Sequence, residues 1–410
     1  MVSICIVSPG NLASNPRLIK EADALHAAGY DVTAVVCRYT EALRAFDDAI
    51  AASVPWRVVS VERSPVEGLV RRAASTAART AGALGLPVPV RVAAAAYGGP
   101  VAPLRRAAAR VPADLYIAHY VAGLAAAGPV AQSRGALLGF DGEDYHRGEG
   151  PAFQRSMVRR VDETYLPACR HVTASAPMIG EAYGRLLGVS PVTVLNVFPR
   201  QMGPSAPRPA GSGDVLRAYW FSQTIGLDRG LQSFIEAMAR ARAPVTLDIR
   251  GSNRWGHGDH LMAQAEALGL GKRVRLLETA PPEEMVRLAA EYDVGLSLET
   301  GGSRNHRICL GNKIFTYLLA GTPVMLSDTP AQRELAPDLG VAARLVSLEN
   351  TADMAEVLNR LVEEPGALAA ARAEAWRLGQ TRYNWEFEKE ALLASVERTL
   401  AQARAGRPLR

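Results

Sequence analysis

The chain opens with a short, continuous apolar run, VSICIVS, then a polar loop, then a segment in which Leu18, Ile19, Ala22 and Leu25 recur at helical spacing, PRLIKEADALHAAGY. A second apolar run, DVTAVVC, follows at once. Apolar runs this short and unbroken predict strands buried on both faces, and the 3.6-residue recurrence predicts an amphipathic helix. Ser14 or Asn15 is placed to cap that helix, and Pro16 suits its first position. The unit is strand, helix, parallel strand. Repeated, it builds a doubly wound sheet whose ligands gather beyond the carboxyl ends of the strands.

The alternation continues through ADLYIAHY, GALLGFDGEDYH, HVTASA and PVTVLNVFP, and breaks at the proline- and glycine-rich stretch RQMGPSAPRPAGSGD, residues 200–214. It restarts with VLRAYWFS, GLQSFIEAMARA, VTLDIRG, LMAQAEALG, VRLLE, PPEEMVRLAAEY and DVGLSLE. The fold class expected is α/β with two doubly wound, Rossmann-like domains: 1–199, a linker at 200–214, and 215–382. The closing helical segment, 383–410, has no strand after it and is expected to pack back on the first domain. A length of 410 residues agrees with two cores, and two such domains face one another across a cleft, a favoured place for a ligand.

Composition adds little to this, with 48% hydrophobic and 21% charged residues, as in soluble globular proteins. The net charge of +5 is uneven: Arg57 to Arg110 holds nine arginines against two glutamates. Tyr97 is the one aromatic residue of that stretch, so it lacks the stacking platforms of a nucleic-acid binder. An anionic membrane touched peripherally through 57–110 is a better partner, beside the plainer readings of a solvated face or a basic wall for a phosphorylated acceptor. Cys5, Cys37, Cys169 and Cys309 are widely spaced and read as reduced thiols. MVSICIVSPG lacks a basic leader, and no run reaches the length of a spanning helix, so the expected location is the cytoplasm, extending to the inner membrane face.

One segment sets polar groups where backbone donors are left over. CLGNKIFTYLLAGTPVMLSDTP, residues 309–330, reads as a compact apolar helix that begins at Asn312 and Lys313 after Gly311 and stops at Gly321, with a strand from Pro323. A helix N-terminus offers unpaired N–H groups and roughly half a positive charge, so an amide and an ammonium there suit a phosphate or diphosphate. The plainer reading has Asn312 capping the helix and Lys313 in solvent.

This segment resembles the donor-binding stretch of glycosyltransferases of the GT-B fold, above all the retaining family 4 group, in which an NK-F-Y-AAG-PV-SD run is common. SPGNLASNPRLIKEADALHAAGYDVTAVV, FDGEDYHRGEG, VLNVFP and FSQTIGLDRGLQSFIEAMARA match the family in the same order, so the resemblance covers nearly the whole chain. It implies transfer of a sugar from a nucleotide-diphosphate donor to an acceptor hydroxyl, with retention, without a metal, and with no cofactor besides the nucleotide sugar. The acceptor is a glycan, a lipid-linked molecule or a small molecule. As the bond to the anomeric carbon breaks, negative charge grows on the departing diphosphate, and fixed donors must stabilise it. The resemblance assigns that role to Arg229, Lys313 and the amides around Asn312, with Gly10 of the first domain allowing close backbone approach.

The chain also departs from the family. Its two usual glutamates would fall near Ile308 and on Thr316. Glu299, ending DVGLSLE, is the substitute candidate toward ribose or sugar hydroxyls, against a plainer pairing with Arg304 or Arg307. Gln223 or Thr224 stands where a basic residue is usual, and both join Thr316 as donor-side candidates. On the acceptor side, FDGEDYHRGEG offers Asp141, Glu143, Asp144 and His146, with relatives often carrying a histidine near position 143. A carboxylate there can orient an acceptor hydroxyl or take its proton, and Asp141 can equally cap a helix. His119 ends the strand of ADLYIAHY and is a further candidate.

Other readings stay in view. DGED as a metal site suggests a GT-A enzyme, but that fold has one nucleotide domain; HGDH at 257–260 has too few ligands for zinc; and SPGNLASNP lacks the G-x-G-x-x-G of a dinucleotide enzyme. A catalytically silent sugar-nucleotide scaffold accounts for the missing glutamates, and a sugar-nucleotide epimerase of the same architecture, changing the donor alone, is a third reading.

Overall fold

The computed structural model describes residues 1–188, 190–209 and 215–406. Its contacts divide the chain into two units, Met1–Val194 with Lys389–Arg410, and Leu195–Glu388. The first holds β1 (Ser3–Ser8), β2 (Asp31–Arg38), β3 (Arg57–Glu62), β4 (Leu115–His119), β5 (Leu137–Gly142), β6 (Cys169–Ala174) and β7 (Val192–Thr193). The second holds β8 (Leu216–Thr224), β9 (Val245–Ser252), β10 (Val274–Leu277), β11 (Val294–Ser297), β12 (Val324–Ser327) and β13 (Ala343–Val346).

Among the described residues the sheet orders are β3-β2-β1-β4-β5-β6-β7 and β10-β9-β8-β11-β12-β13, with parallel pairing. Both run outward from their first strand and then reverse to its other side. The reversal, between β1 and β4 and again between β8 and β11, is the switch point where the crevice of a doubly wound sheet opens. The unbroken apolar strands follow from this, because helices cover both faces. Ile4, Ile6, Leu18, Val32 and Ile117 form the first core, together with Val396 and Leu400 of the last helix, Trp385–Arg404. Trp220, Phe234, Ile249, Leu296 and Met325 lie in the second.

Local signals read from the sequence are seen where they act. Pro16 starts the Pro16–Ala27 helix, and the Asn15 side chain caps it, accepting from Leu18 N at 3.0 Å. Gly321, with φ of 70°, ends the Asn312–Ala320 helix. PVTVLNVFP yields only the two-residue β7, and the edge strands β3 and β13 extend the sheets beyond the strands read from apolar runs.

The proline-rich stretch behaves differently from a free linker. The chain leaves the first unit at Val194, and residues 200–209 belong to the second. Trp376 Nε1 donates to Pro204 O and Arg372 Nη1 to Pro209 O, both at 2.9 Å, while Arg208 pairs with Asp293 at 2.9 Å. Side-chain donors from the Pro365–Thr381 helix thus fix backbone that composition alone leaves loose. Residues 210–214 of the expected linker, and 407–410 of the expected last helix, lie outside the described residues. From Lys389 onward that helix belongs to the first unit, where Ser395 Oγ meets His171 Nδ1 at 2.9 Å and Thr399 Oγ1 donates to Arg170 O at 3.2 Å.

Candidate functional site

The carboxyl ends of β8 and β11 deliver two loops to the switch point of the second unit. After β11 comes Glu299, and after β8 the chain turns through Asp228 and Arg229 into the Leu231–Arg240 helix. Gly230 makes that turn possible: its φ is 65°, and a Cβ there would lie 2.8 Å from Leu298 Cβ and 2.9 Å from Leu298 O. Only glycine lets the two loops approach so closely.

The third contributor, the Asn312–Ala320 helix, is drawn onto β11 by a second close approach. A Cβ on Gly295 would sit 2.3 Å from the Tyr317 ring, whose hydroxyl donates to Tyr219 O at 2.9 Å. The packing brings three charges together. Arg229 Nη1 lies 2.6 Å from Glu299 Oε2, and Lys313 Nζ 3.5 Å from Glu299 Oε1. Ser327 Oγ donates to Glu299 O at 2.8 Å and holds the end of β11 in place.

Exposure separates the three. The Glu299 and Lys313 side chains are 3% and 9% exposed, whereas Arg229 keeps 28%. Burial works against the Glu299 carboxylate, but Lys313 and Arg229 overcome it and hold its pKa below the usual value. Burial lowers the pKa of Lys313, and Glu299 only partly restores it. For Arg229, burial is outweighed by Glu299 and Asp228, and the pKa rises. Lys313 therefore does not stand in solvent as the plainer sequence reading has it; its Nζ lies 5.7 Å from the centroid of the buried Trp220 ring. Nor does Asn312 cap the helix. Gly311 is the N-cap and supplies no side-chain hydrogen bond, and Asn312 is exposed in the first turn. Uncapped amides, a buried ammonium and a half-exposed guanidinium converge on one place, which equips it to hold an anion.

The other donor-side candidates divide. Gln223 is exposed and Thr224 half-buried at the end of β8. Thr316 is fully buried and donates to Asn312 O at 2.9 Å, so its hydroxyl is committed inside its own helix. Glu299 pairs with Arg229 and Lys313, where the plainer sequence reading had Arg304 or Arg307 as its partner. Sequence reading missed His306, whose Nδ1 lies 3.9 Å from Asp228 Oδ2.

At the switch point of the first unit, Asp141 is committed to an internal ion pair and not to a helix cap. It is 2% exposed and takes two 2.7 Å hydrogen bonds from Arg17, with Thr173 Oγ1 as a further donor. Burial disfavours its charge, yet Arg17 holds the carboxyl far below the usual range. Arg17 also donates to Val194 O at 2.7 Å. His119 is equally buried, with Nε2 2.6 Å from Glu21 and Nδ1 3.6 Å from Asp141. Burial pushes its pKa down, but Glu21 and Asp141 raise it above the ordinary value.

Glu143 and Asp144 are the half-buried candidates of this end. Tyr120 donates to Glu143 Oε2 at 2.7 Å, and burial raises the Glu143 pKa. Tyr120 has φ of 60°, the one positive value outside glycine among the described residues. Such strain collects at functional sites. His146 sits 5.7 Å from Tyr120, ring to ring. Gly10 follows β1, and a Cβ there would make only an ordinary 3.5 Å contact with Ser14 Oγ, so the chain's own packing does not demand glycine. Arg17, Lys20 and Glu21 escaped the sequence reading, although charged residues on the buried side of the first helix are a visible signal. Burial and Arg17 push Lys20 down to about 7.

Comparison with known proteins places this geometry. The chain matches Anabaena HepE in complex with UDP and glucose with a TM-score of 0.72 at 14% identity, covering 97% of this chain and 100% of that one. Sucrose-phosphate synthase from Thermosynechococcus elongatus gives 0.71 at 14%, covering 98% and 100%. The fold is GT-B. Within it, residues 221–364 match the family model described as Glycosyl transferases group 1, a span that includes Arg229, Glu299 and Lys313. D-inositol 3-phosphate glycosyltransferase of Rhodococcus jostii (strain RHA1) is 32% identical over 143 residues, 33% of this chain and 28% of that one. Its counterpart in Mycolicibacterium smegmatis (strain ATCC 700084 / mc(2)155) is 26% identical over 155 residues, 37% of this chain and 32% of that one. The similarity to these curated relatives thus spans about a third of their length.

Proposed function

We propose that this GT-B chain is a glycosyltransferase that moves a sugar from a nucleotide-diphosphate donor, UDP-linked as in the HepE complex, to an acceptor hydroxyl, without a metal and with retention. The observation that carries the reading is the convergence of Arg229 and Lys313 on buried Glu299 beside the uncapped Asn312–Ala320 helix. A diphosphate at that helix end meets the two cations and the amides of the first turn. As its bond to the sugar breaks, these groups stabilise the growing charge without having to reorganise.

Glu299 lies between the two cations and offsets part of the burial that lowers the Lys313 pKa. We assign the sugar or ribose hydroxyls to the same carboxylate, and the acceptor hydroxyl to Glu143 and Asp144 of the first unit. Relatives named for D-inositol 3-phosphate make a polyol a fitting first acceptor to try.

The deciding experiment has two stages. A thermal-shift screen with UDP, GDP, ADP and TDP identifies the nucleotide, because a ligand that binds only the native state raises its unfolding temperature. The matching nucleotide sugar is then incubated with candidate acceptors in the presence of EDTA, and the anomeric configuration of the product is read by NMR. Transfer with retention is expected. Binding with no release of nucleoside diphosphate under any acceptor would favour the silent scaffold, and conversion of the donor alone would favour an epimerase.

A further inference from the structure

We propose that the outer face of the Glu67–Ala83 helix, with the turn that follows it, docks the protein on an anionic lipid surface. Val66, Leu69, Val70, Leu84 and Leu86 are each more than half exposed. They are five of the fifteen large hydrophobic side chains exposed among the described residues, gathered in residues 66–86. Scattered apolar side chains need no explanation, but a cluster of this kind marks an interaction surface.

The helix packs through its opposite side on the Val90–Tyr97 helix, with Ala78 buried and Glu67, Ala74, Ser75 and Ala81 half-buried. At 3.6 residues per turn, Val66, Leu69, Ala73, Ala77, Thr80 and Leu84 form one strip beside that contact, apolar but for the Thr80 hydroxyl, with Arg72 and Arg79 to one side. Arg79 is held in place over the Phe153 ring at 4.1 Å. Arg63, just before the helix, stacks at 4.6 Å on half-exposed Tyr39 and pairs with Glu67 at 3.1 Å, so Arg72 and Arg79 carry the charge of this face.

Charge decides the occupant. From Arg63 to Leu86, the segment that carries this face, four arginines stand against Glu67 alone, so a second copy would bring like charge against like. A protein partner would be expected to meet aromatic anchors, and the strip has none, only aliphatic side chains and Thr80 beside arginines. That composition suits a helix lying in the plane of an interface, with its aliphatic side chains among the acyl chains and its arginines at phosphate level. The helix is about 25 Å long and lies flat on the surface, since none of the described helices is long and apolar enough to cross a membrane. The proposal does not depend on the sugar-transfer reading.

Flotation of the full chain with vesicles tests it. Binding is expected with an equimolar mixture of phosphatidylcholine and phosphatidylglycerol, weakening as salt rises, and not with phosphatidylcholine alone. The Leu69→Gln/Leu84→Gln pair should lower partitioning at least about tenfold, and Arg72→Gln roughly fivefold. Both variants should keep the wild-type unfolding midpoint, because these side chains are exposed. If the leucine pair did not fold, Arg72→Gln and the salt series would decide. No flotation with the mixed vesicles, or flotation that the substitutions leave unchanged, would overturn the proposal. So would light scattering that shows a dimer which the leucine pair dissociates, since the face would then belong to a second copy.

Discussion

At the switch point of the first unit, Arg17 gives three hydrogen bonds, two to Asp141 and one to Val194 O, and its side chain is 5% exposed. At the matching point of the second unit, Arg229 gives one to Glu299 and keeps 28% of its side chain in solvent. Strand order is the same in both, so topology brings opposite charges to both crevices. What differs is saturation. Asp141, Arg17 and Thr173 satisfy one another and tie β5 and β6 to the first helix, with the buried His119–Glu21 pair beside them leaving only His119 Nδ1 and Glu21 Oε1 without a hydrogen bond, whereas the Arg229–Glu299–Lys313 group leaves Arg229 partly in solvent. An ion cluster closed on itself supports a fold, and one left open is available to a ligand.

The sharpest way to break this comparison is to open the closed cluster. Arg17→Met leaves Asp141 charged and buried without its partner, and should destabilise the protein by about 3–5 kcal/mol in denaturant unfolding. Replacing both partners, Arg17→Met with Asp141→Leu, should return much of that stability, because an apolar pair avoids the uncompensated charge. A single variant as stable as wild type would mean that the cluster is not structural.

The open cluster should respond in ligand affinity beyond any change in stability. Lys313→Ala removes a charged donor while Arg229 still neutralises Glu299. Losing a charged hydrogen bond of about 1.5–3 kcal/mol should weaken nucleoside diphosphate binding roughly tenfold to a hundredfold in titration calorimetry. An unchanged dissociation constant would remove Lys313 from the site. Glu299→Gln should act the other way on binding. Removing one negative charge near the diphosphate should tighten it by about fivefold or more, from about 1 kcal/mol for a charge at 4 Å in water. Turnover should fall at the same time, because the cations lose the charge between them and the sugar its carboxylate. A parallel loss of binding and turnover would recast Glu299 as a purely structural anchor.

These residues also show what a sequence can reveal. The strand–helix alternation, the Asn15 cap and the Gly321 stop rest on short-range periodicity and local backbone chemistry, and the apolar pattern carries them directly. Lys313 stood out because it lies at a helix start, where an anion is welcome, and Arg229 because it matches a basic residue of the family's loop after the first strand of the second domain. The Arg17–Asp141 pair was out of reach: its members are 124 residues apart, and only the position of β5 in the sheet brings them together. Asp141 therefore looked like a strand-end carboxylate free for catalysis. Thr316 misled for a similar reason, since its alignment with a family glutamate says nothing of which side of the helix is buried. The docked 200–209 stretch was invisible because its anchors, Arg372 and Trp376, come from a helix far along the chain.

The smallest expected effect concerns the His119–Glu21 pair, and pH brings it out. Glu21 from the first helix and Asp141 from β5 both face the imidazole, Arg17 opposes them, and the net result raises the His119 pKa above its ordinary 6.5. A group whose pKa is raised by folding stabilises the fold fully below its unfolded value, and loses that contribution as pH climbs through the folded value. Lys20, pushed down to about 7, works in the opposite sense, because its unfolded form holds a proton that the folded form releases. The two tendencies overlap above neutral pH, so the wild-type curve alone does not isolate either. The difference between wild type and His119→Gln does, since Lys20 is common to both. That difference in unfolding temperature should be largest near pH 6 and shrink as pH rises. It should stay within about 4 °C, the shift that 1 kcal/mol produces in a domain of this size. A difference that grew with pH would mean that the imidazole is held neutral, and that the first unit's cluster closes through hydrogen bonds and not through charge.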